Sequence, residues 1–369
     1  MQNSQMKKCL LFILFNCCFF LVFSQKQKRE WAMETRFKSG FLLGHRPVMG
    51  HLAVEHAFAG EVSYIIRTRG QKKWHSAYKF PDIGITTYFG SAGNRDILGN
   101  YLGAYSFVSF PFISRDKFRF NGKLGAGLGL GFRQYDPVSN QKNVAMSTPL
   151  NAMICLGIDA KYYFKKNWIS LGIDMTHFSN GAFKVPNLGL NLPFLSVGYG
   201  RFIQQVDTVS QLKPTYMPLR KILIGATAIL SAKEIFPTGG TKYPVYALSI
   251  HARTFLKPRV GWELSADFIS KQAIFGYRPQ IEKTQKEIFQ IGIYAGYLLP
   301  LDRFHFVLGM GYYVKDKFQP EDAMYHRVGF RYYLNNGIQF NIVLKSHWAR
   351  ADYVEWGIGY SFNTKKAKS

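Results

Sequence analysis

Much of the chain consists of segments in which apolar residues alternate with small or polar ones. The clearest, from Phe118 to Phe132, has mostly aromatic and aliphatic residues on one parity and mostly glycine on the other. Residues two apart on a strand share a face, so this alternation predicts a barrel strand with an apolar outer wall and small residues in a narrow lumen. The same criterion predicts eight strands, at 36–45, 57–68, 82–91, 100–114, 117–133, 147–164, 167–179 and 191–204.

A second set of alternating segments follows a polar, proline-containing connector at 205–218. It predicts eight more strands, at 219–232, 243–256, 259–270, 286–299, 303–314, 323–334, 337–347 and 352–362. Asp116-Lys117-Phe118 in the first set is matched by Asp302-Arg303-Phe304 in the second, which indicates an ancient duplication. The predicted fold is an all-β transmembrane antiparallel β-barrel, either as two tandem eight-stranded units (26–204 and 219–369) or as one barrel of about 16 strands.

The first 25 residues differ from the rest of the chain. Lys7 and Lys8 precede an apolar run from Cys9 to Phe23, which is typical of a secretory signal peptide at 1–25. No later segment approaches the ~20 consecutive apolar residues that a membrane helix needs, and only a closed barrel otherwise satisfies the backbone in lipid. Removal of the signal leaves Cys155 alone, which excludes a disulfide framework and a cysteine metal site; we expect it to face the lumen.

The topology rule for exported barrels orients the predicted strands. Such barrels begin on the periplasmic side, with short turns there and longer loops outside. Odd-numbered strands then run outward, so the strand at 167–179 ends at the outer rim. We expect the segments 69–81, 134–146 and 180–190 to be the longer outward loops.

A histidine and a serine continue the apolar parity of the strand at 167–179. That parity reads Ile169, Leu171, Ile173, Met175, His177 and Ser179. A polar pair on a lipid-facing wall has a solvation cost, and it therefore calls for a specific explanation. Asn191 has the lipid-facing parity of the next strand and can stand beside His177. Together, Ser179, His177 and Asn191 offer a nucleophile, a base and an orienting group.

The motif His-Phe-Ser-Asn-Gly-Ala at 177–182, followed by Pro-Asn-x-Gly at 186–189, resembles the signature of the outer-membrane lipid A 3-O-deacylases, also called acyloxyacyl hydrolases. The resemblance covers roughly the first half of the chain after the signal. It implies an eight-stranded barrel with a Ser-His-acid triad on its outer wall, and it favours two units because this family closes alone. The family's acid is usually a glutamate where this chain has Asn191, although an amide can also orient an imidazole.

The resemblance implies a function for this motif, the removal of an ester-linked hydroxyacyl chain from lipid A of lipopolysaccharide. The residues assigned to it are Ser179 as nucleophile, His177 as base, Asn191 as orienting group, and Asn180 with the backbone N–H groups of Gly181 and Ala182 as oxyanion donors. The alternative is a non-catalytic structural, transport or lipopolysaccharide-binding barrel, in which His177 and Ser179 are polar residues of the rim.

The second half lacks this chemistry. His347 is the counterpart of His177, but it has the lumen parity and no serine stands two positions after it. We expect Glu355 and Lys345, which also have lumen parity, to form a buried ion pair rather than a second active site.

Charge and composition complete the prediction. The formal charge of +25 suits a phosphate-rich partner, which for this fold is lipopolysaccharide and the surrounding outer-membrane lipids rather than a nucleic acid. His45 and His51 flank Pro47 in the first outward loop, but no third ligand is spaced for a metal, so neither a metal nor another cofactor is expected. The predicted location is the outer membrane of a diderm bacterium, with the active site at the outer leaflet; a homo-oligomer is compatible with this arrangement.

Overall fold

The computed structural model describes residues 29–206, 221–318, 321–348 and 350–362. The predicted signal peptide and most of the connector at 205–218 lie outside the described residues. The first eight strands are β1 (Glu30–Phe41), β2 (His56–Arg67), β3 (Asp82–Ser91), β4 (Asn100–Arg115), β5 (Phe118–Gly131), β6 (Leu150–Phe164), β7 (Asn167–Ser179) and β8 (Leu190–Gln204). The next eight are β9 (Leu223–Glu234), β10 (Lys242–Lys257), β11 (Val260–Lys271), β12 (Phe289–Leu301), β13 (Phe304–Lys315), β14 (Met324–Tyr333), β15 (Ile338–His347) and β16 (Arg350–Phe362).

The strands close into two separate antiparallel barrels. β1 pairs with both β2 and β8, which closes the first barrel at eight strands. β9 pairs with both β10 and β16, which closes the second. The prediction of two eight-stranded units is therefore confirmed, and the alternative of one barrel of about 16 strands is wrong.

Short helices occupy some of the connections. A 3-10 helix covers Pro47–Leu52, and α1 covers Lys73–Ala77. In the second barrel, α2 covers Ala273–Tyr277 and α3 covers Gln285–Ile288. Within the described ranges, the helices are all too short to cross a membrane.

The first strand departs most from its predicted range of 36–45. It begins at Glu30 because both early glutamates lie in the lumen with cationic partners, Glu30 with Arg69 at 2.5 Å and Glu34 with Arg36 at 3.1 Å. Charged residues weaken the alternation in the sequence, but such pairing makes them compatible with a buried position. The other strands begin and end within four residues of the predicted bounds.

Charged side chains pair with one another inside the first barrel. Lys38 Nζ lies 2.6 Å from Asp174 Oδ1 and 3.1 Å from Glu61 Oε1. Cys155 is 1% exposed and faces the same lumen, as predicted. The lumen of this barrel is thus a polar packed core, while the apolar residues form its outer wall.

Glycines on β5 leave room for aromatic rings in the lumen below the end of β7. A Cβ atom on Gly129 would overlap the ring of Phe178, which is fully buried and lies 5.0 Å from the ring of Tyr101 between centroids. This confirms the prediction that the small residues of β5 face the lumen. Because Phe178 stands between His177 and Ser179, its inward ring directs those two side chains to the outer wall.

The two ends of each barrel differ in their connections. We call the end at which β1, β3, β5 and β7 finish the site rim, and the opposite end the turn rim; the second barrel is named in the same way from β9, β11, β13 and β15. The site rim carries the long segments 132–149 and 180–189, as predicted. The prediction for 69–81 is wrong: this segment, which contains α1, follows the returning strand β2 and lies at the turn rim.

The barrels stand side by side with matching ends. At the site rim, the Glu234 N–H donates to the Ala182 carbonyl at 3.2 Å, and Lys242 Nζ donates to the Phe183 carbonyl at 2.9 Å. At the turn rim, the Tyr78 hydroxyl donates to the Pro300 carbonyl at 2.7 Å. The hydrogen bonds that join the two barrels in the described part of the chain therefore connect rim to rim.

The lumen of the second barrel corrects one prediction. Glu355 does not pair with Lys345, because Arg327 on β14, two strands away, reaches it with a bond of 2.8 Å and also reaches Asp267 at 2.7 Å. Lys345 Nζ lies instead over the rings of Tyr313 and Tyr325, and its ammonium has no hydrogen-bond partner among the described residues. His347 is 2% exposed and has the predicted lumen orientation.

Candidate active site

The candidate site lies on the outer wall where β7 reaches the site rim. Residues of the outward parity on β7 are exposed along its length, such as Leu171 at 63% and Ile173 at 55%. His177 and Ser179 continue this parity, while the intervening Phe178 points inward. The orientation predicted from the alternation is therefore the one that the structure shows.

His177 and Asn191 are direct cross-strand neighbours. They are paired residues of β7 and β8, so their side chains leave the sheet on the same face and close together. The distance between His177 Nδ1 and Asn191 Oδ1 is 2.7 Å. A carboxamide oxygen can only accept, so with the Asn191 amide in this orientation Nδ1 carries a proton, and in the neutral ring Nε2 keeps its lone pair.

A second histidine joins this pair from the loop after β1. The Leu43 N–H donates to the Asn191 carbonyl at 2.9 Å, which continues the β1–β8 pairing and carries His45 to the same place. Asn191 Nδ2 lies 3.1 Å from His45 Nδ1. Burial, and after it the positive charge of Arg46, lowers the pKa of His45 below its ordinary value.

Ser179 is nearly buried below the loop that follows it, with 8% of its surface exposed. Its hydroxyl oxygen accepts from the Gly181 N–H at 3.1 Å and from Asn187 Nδ2 at 3.0 Å. Two donors therefore converge on the atom that would attack an ester. Among the described residues no hydrogen bond joins Ser179 to His177; the two side chains are neighbours on the same face of β7.

Asn180 holds the loop in its shape. Its Nδ2 donates to Ser147 Oγ at 3.1 Å and to the Lys184 carbonyl at 2.9 Å, and its backbone N–H donates to Asn187 Oδ1 at 3.1 Å. Both hydrogens of the side-chain amide are used in these bonds. A contact between Asn180 and an oxyanion thus stays a prediction, and Gly181 and Asn187 are the donors that lie next to Ser179.

Two functional candidates escaped the sequence analysis. Asn187 was present in the motif, but its contact with Ser179 depends on how the loop folds back. The sequence offers His45 only as a possible metal ligand with His51; in the structure His51 Nε2 contacts the Lys142 carbonyl at 2.8 Å, and His45 contacts Asn191 instead. The sequence signal for His45 is its position just after β1, the strand that pairs with β8 when the barrel closes.

Potential metal ligands come together elsewhere, in the lumen of the second barrel. Glu321, His347 and Asp352 place one ligand atom each within 4.8 Å of one another. Lys233 and Lys271 each bond both carboxylates, with Lys271 Nζ 2.9 Å from Asp352 Oδ2. Ammonium groups thus occupy the position between these oxygens, and the group is a structural ion-pair cluster.

Comparison with known proteins identifies both halves of the chain. The model of the lipid A 3-O-deacylase family matches residues 59–200, and that of the acyloxyacyl hydrolase C-terminal domain matches residues 222–364. Among curated proteins, none matches the chain.

Solved structures resemble the chain only weakly. A triple mutant of the Rhodopseudomonas blastica porin has 9% identity and a TM-score of 0.20, with 90% of this chain and 100% of that chain covered. The Pseudomonas putida toluene transporter TodX has 7% identity and a TM-score of 0.18, with 92% of this chain and 90% of that chain covered. Scores of this size support no inference.

The two family matches cover most of the chain, and the first contains the motif at 177–189. Residues 59–200 therefore carry the lipid A 3-O-deacylase domain, and residues 222–364 carry the acyloxyacyl hydrolase C-terminal domain.

Proposed function

We propose that this protein hydrolyses an ester-linked hydroxyacyl chain of lipid A at the outer leaflet of the outer membrane. The observation that carries the proposal is the set of Ser179, His177 and Asn191 on the lipid-facing wall at the site rim, with His177 bonded to Asn191. An acyl chain can lie along such a wall without leaving the hydrocarbon layer. The ester that joins it to the sugar then meets the rim.

In the proposed reaction, Ser179 Oγ attacks the ester carbonyl carbon and its proton passes to His177 Nε2. This step requires Ser179 Oγ and His177 Nε2 to come within hydrogen-bond distance, and catalytic contacts often tighten only when substrate binds. The Gly181 N–H and Asn187 Nδ2 lie next to the attacking oxygen, where they can donate to the oxyanion. Return of the proton to the sugar oxygen expels the deacylated lipid.

Water completes the cycle. His177 takes a proton from a water molecule that attacks the acyl-serine ester, and the fatty acid and free Ser179 result. Asn191 keeps the proton of His177 on Nδ1 throughout, as the amide of a Cys-His-Asn triad does. Asn180, which the family resemblance assigns to the oxyanion, holds the loop that carries these donors.

The test is the release of 3-hydroxy fatty acid from lipopolysaccharide by the purified protein, read by mass spectrometry of lipid A. We expect Ser179→Ala to lose several orders of magnitude in rate. Ser106→Ala is the matched control, because Ser106 is an exposed, outward-facing serine on β4, away from the site. If Ser179→Ala keeps the wild-type rate, the assignment of the nucleophile is wrong.

The alternative class, a structural, transport or lipopolysaccharide-binding barrel, predicts no change in lipid A. Cells with and without the protein would then yield the same lipid A masses. A difference of one hydroxyacyl mass decides for the hydrolase.

A further inference from the structure

The side-chain amide of Asn191 lies between the imidazoles of His177 and His45. It can accept a hydrogen bond from one ring and donate to the other, but it cannot do both to the same ring. Its oxygen lies 2.7 Å from His177 Nδ1, and its nitrogen lies 3.1 Å from His45 Nδ1. The oxygen accepts and the nitrogen donates. In this orientation, His177 must carry its proton on Nδ1 and His45 must have a lone pair on Nδ1.

A flip of the amide exchanges these roles. The nitrogen would then donate to His177 Nδ1, which would force the His177 proton onto Nε2, the atom that has to accept the proton of Ser179. A carboxylate accepts on both oxygens and has no such ambiguity. An asparagine at this position therefore needs a further group that selects its orientation. His45 is the group that contacts it, and it selects this orientation when its own proton is on Nε2, which leaves Nδ1 as an acceptor.

We propose that His45 is a positioning residue that holds the Asn191 amide with its oxygen towards His177, and that protonation of His45 releases this hold. The inference rests on the proposed hydrolase function. Protonated His45 has an N–H on Nδ1, which can bond Asn191 only through the amide oxygen. The flipped amide then leaves His177 in the tautomer that cannot act as a base.

The surroundings of His45 set the direction of the pH dependence. Among the described residues, the ionisable groups that act on it are Arg46, its neighbour on the loop, and His177 beyond Asn191. Burial and the Arg46 charge lower the pKa of His45, so neutral His45 dominates at neutral pH. Activity should be present above this pKa and be lost as the pH falls through it, in addition to the loss caused by protonation of His177 itself.

The first experiment measures hydroxy fatty acid release by His45→Asn and His45→Leu in the full-length protein. The side-chain oxygen of asparagine can take the place of Nδ1 as an acceptor, but it does not titrate. We expect His45→Asn to stay within about twofold of the wild type and His45→Leu to lose roughly three- to tenfold, the effect of one hydrogen bond that selects an orientation. At acid pH, a plot of the logarithm of the wild-type rate against pH should have a slope approaching two, because two protonations stop the reaction. For His45→Asn the slope should be one.

The second experiment repeats His45→Leu in an Asn191→Glu background, which has the usual acid of the family. A glutamate accepts from His177 in any orientation, so the loss caused by His45→Leu should disappear there. A merely structural role of His45 would instead give the same loss in both backgrounds. Urea unfolding identifies any variant that fails to fold. Among the folded variants, the test compares the loss of rate caused by His45→Leu in the Asn191 background with the loss in the Asn191→Glu background.

The outcomes separate the two proposals. If the wild type releases no hydroxy fatty acid, or Ser179→Ala is as active as the wild type, the hydrolase function fails and the role of His45 fails with it. If Ser179→Ala is inactive but His45→Leu keeps the wild-type rate, or loses the same factor with Asn191 and with glutamate, only the role of His45 is overturned. An unchanged acid slope in His45→Asn overturns the release by protonation.

Discussion

The strongest quantitative prediction concerns Asn191→Leu. Leucine has nearly the shape of asparagine and suits an outward-facing position on β8, where Leu195 is 66% exposed. The change removes the acceptor that lies 2.7 Å from His177 Nδ1. The free energy of unfolding should fall by no more than about 1–3 kcal/mol, the cost of a buried donor that loses its acceptor, so the barrel should still fold.

The size of the effect follows from the charge that develops on His177. When His177 takes the proton of Ser179, its bond to Asn191 becomes a bond from a cation to a neutral oxygen, which contributes about 1.5–3 kcal/mol. At 1.4 kcal/mol for each factor of ten, the single-turnover rate constant of acyl release should fall by roughly 10- to 150-fold. This loss lies well between the wild type and Ser179→Ala.

The assay is the single-turnover release of hydroxy fatty acid from lipopolysaccharide. Asn167→Leu is the matched control: Asn167 is also an outward-parity asparagine, at the turn-rim end of β7, where it accepts from the Tyr199 hydroxyl at 2.8 Å. We expect this control to keep the wild-type rate. A wild-type rate for Asn191→Leu would refute the orienting role, and a rate as low as that of Ser179→Ala would show that Asn191 does more than orient the base.

Two further predictions concern the support of the site. Phe178→Ala removes a fully buried ring from the lumen and should lower the free energy of unfolding by about 3–5 kcal/mol, measured by urea unfolding; an unchanged midpoint would mean that the ring does not anchor β7. Lys242→Met removes the bond to the Phe183 carbonyl, so trypsin should cleave after Lys184 faster and acyl release should fall by roughly two- to fivefold. Equal cleavage rates would show that the second barrel does not restrain this loop.

The alternation of residues was enough to predict the strands and the outward orientation of His177 and Ser179, because a period of two fixes the face of each side chain. It missed the start of β1, where Glu30 and Glu34 depend on partners distant in the sequence. It also gave Glu355 the wrong partner, since the choice among lumen cations depends on how far Arg327 reaches across neighbouring strands. The alternation of residues along a strand predicts which face a side chain lies on, but it does not predict which partner that side chain contacts.

The contact of His45 with Asn191 shows the same limit in the site itself. The two residues are 146 positions apart, and they meet because the barrel closes between β1 and β8. Nothing local in the sequence indicates which loop residue lies beside the last strand. The motif therefore indicates the site residues that lie near Ser179 in the sequence. His45 joins the site only through the closure of the barrel.

Attachment at both rims acts as a brace between the two barrels. Neither barrel can rotate about its axis or tilt independently of the other without breaking a bond between them. Examples are the bonds of Tyr78 to Pro300 and of Lys242 to Phe183. The wall that carries His177 consequently keeps a fixed orientation relative to the second barrel. In a hydrolase of the proposed kind, each lipid would meet the site from the part of the membrane that the second barrel leaves open, so the ester would be presented in the same direction each time.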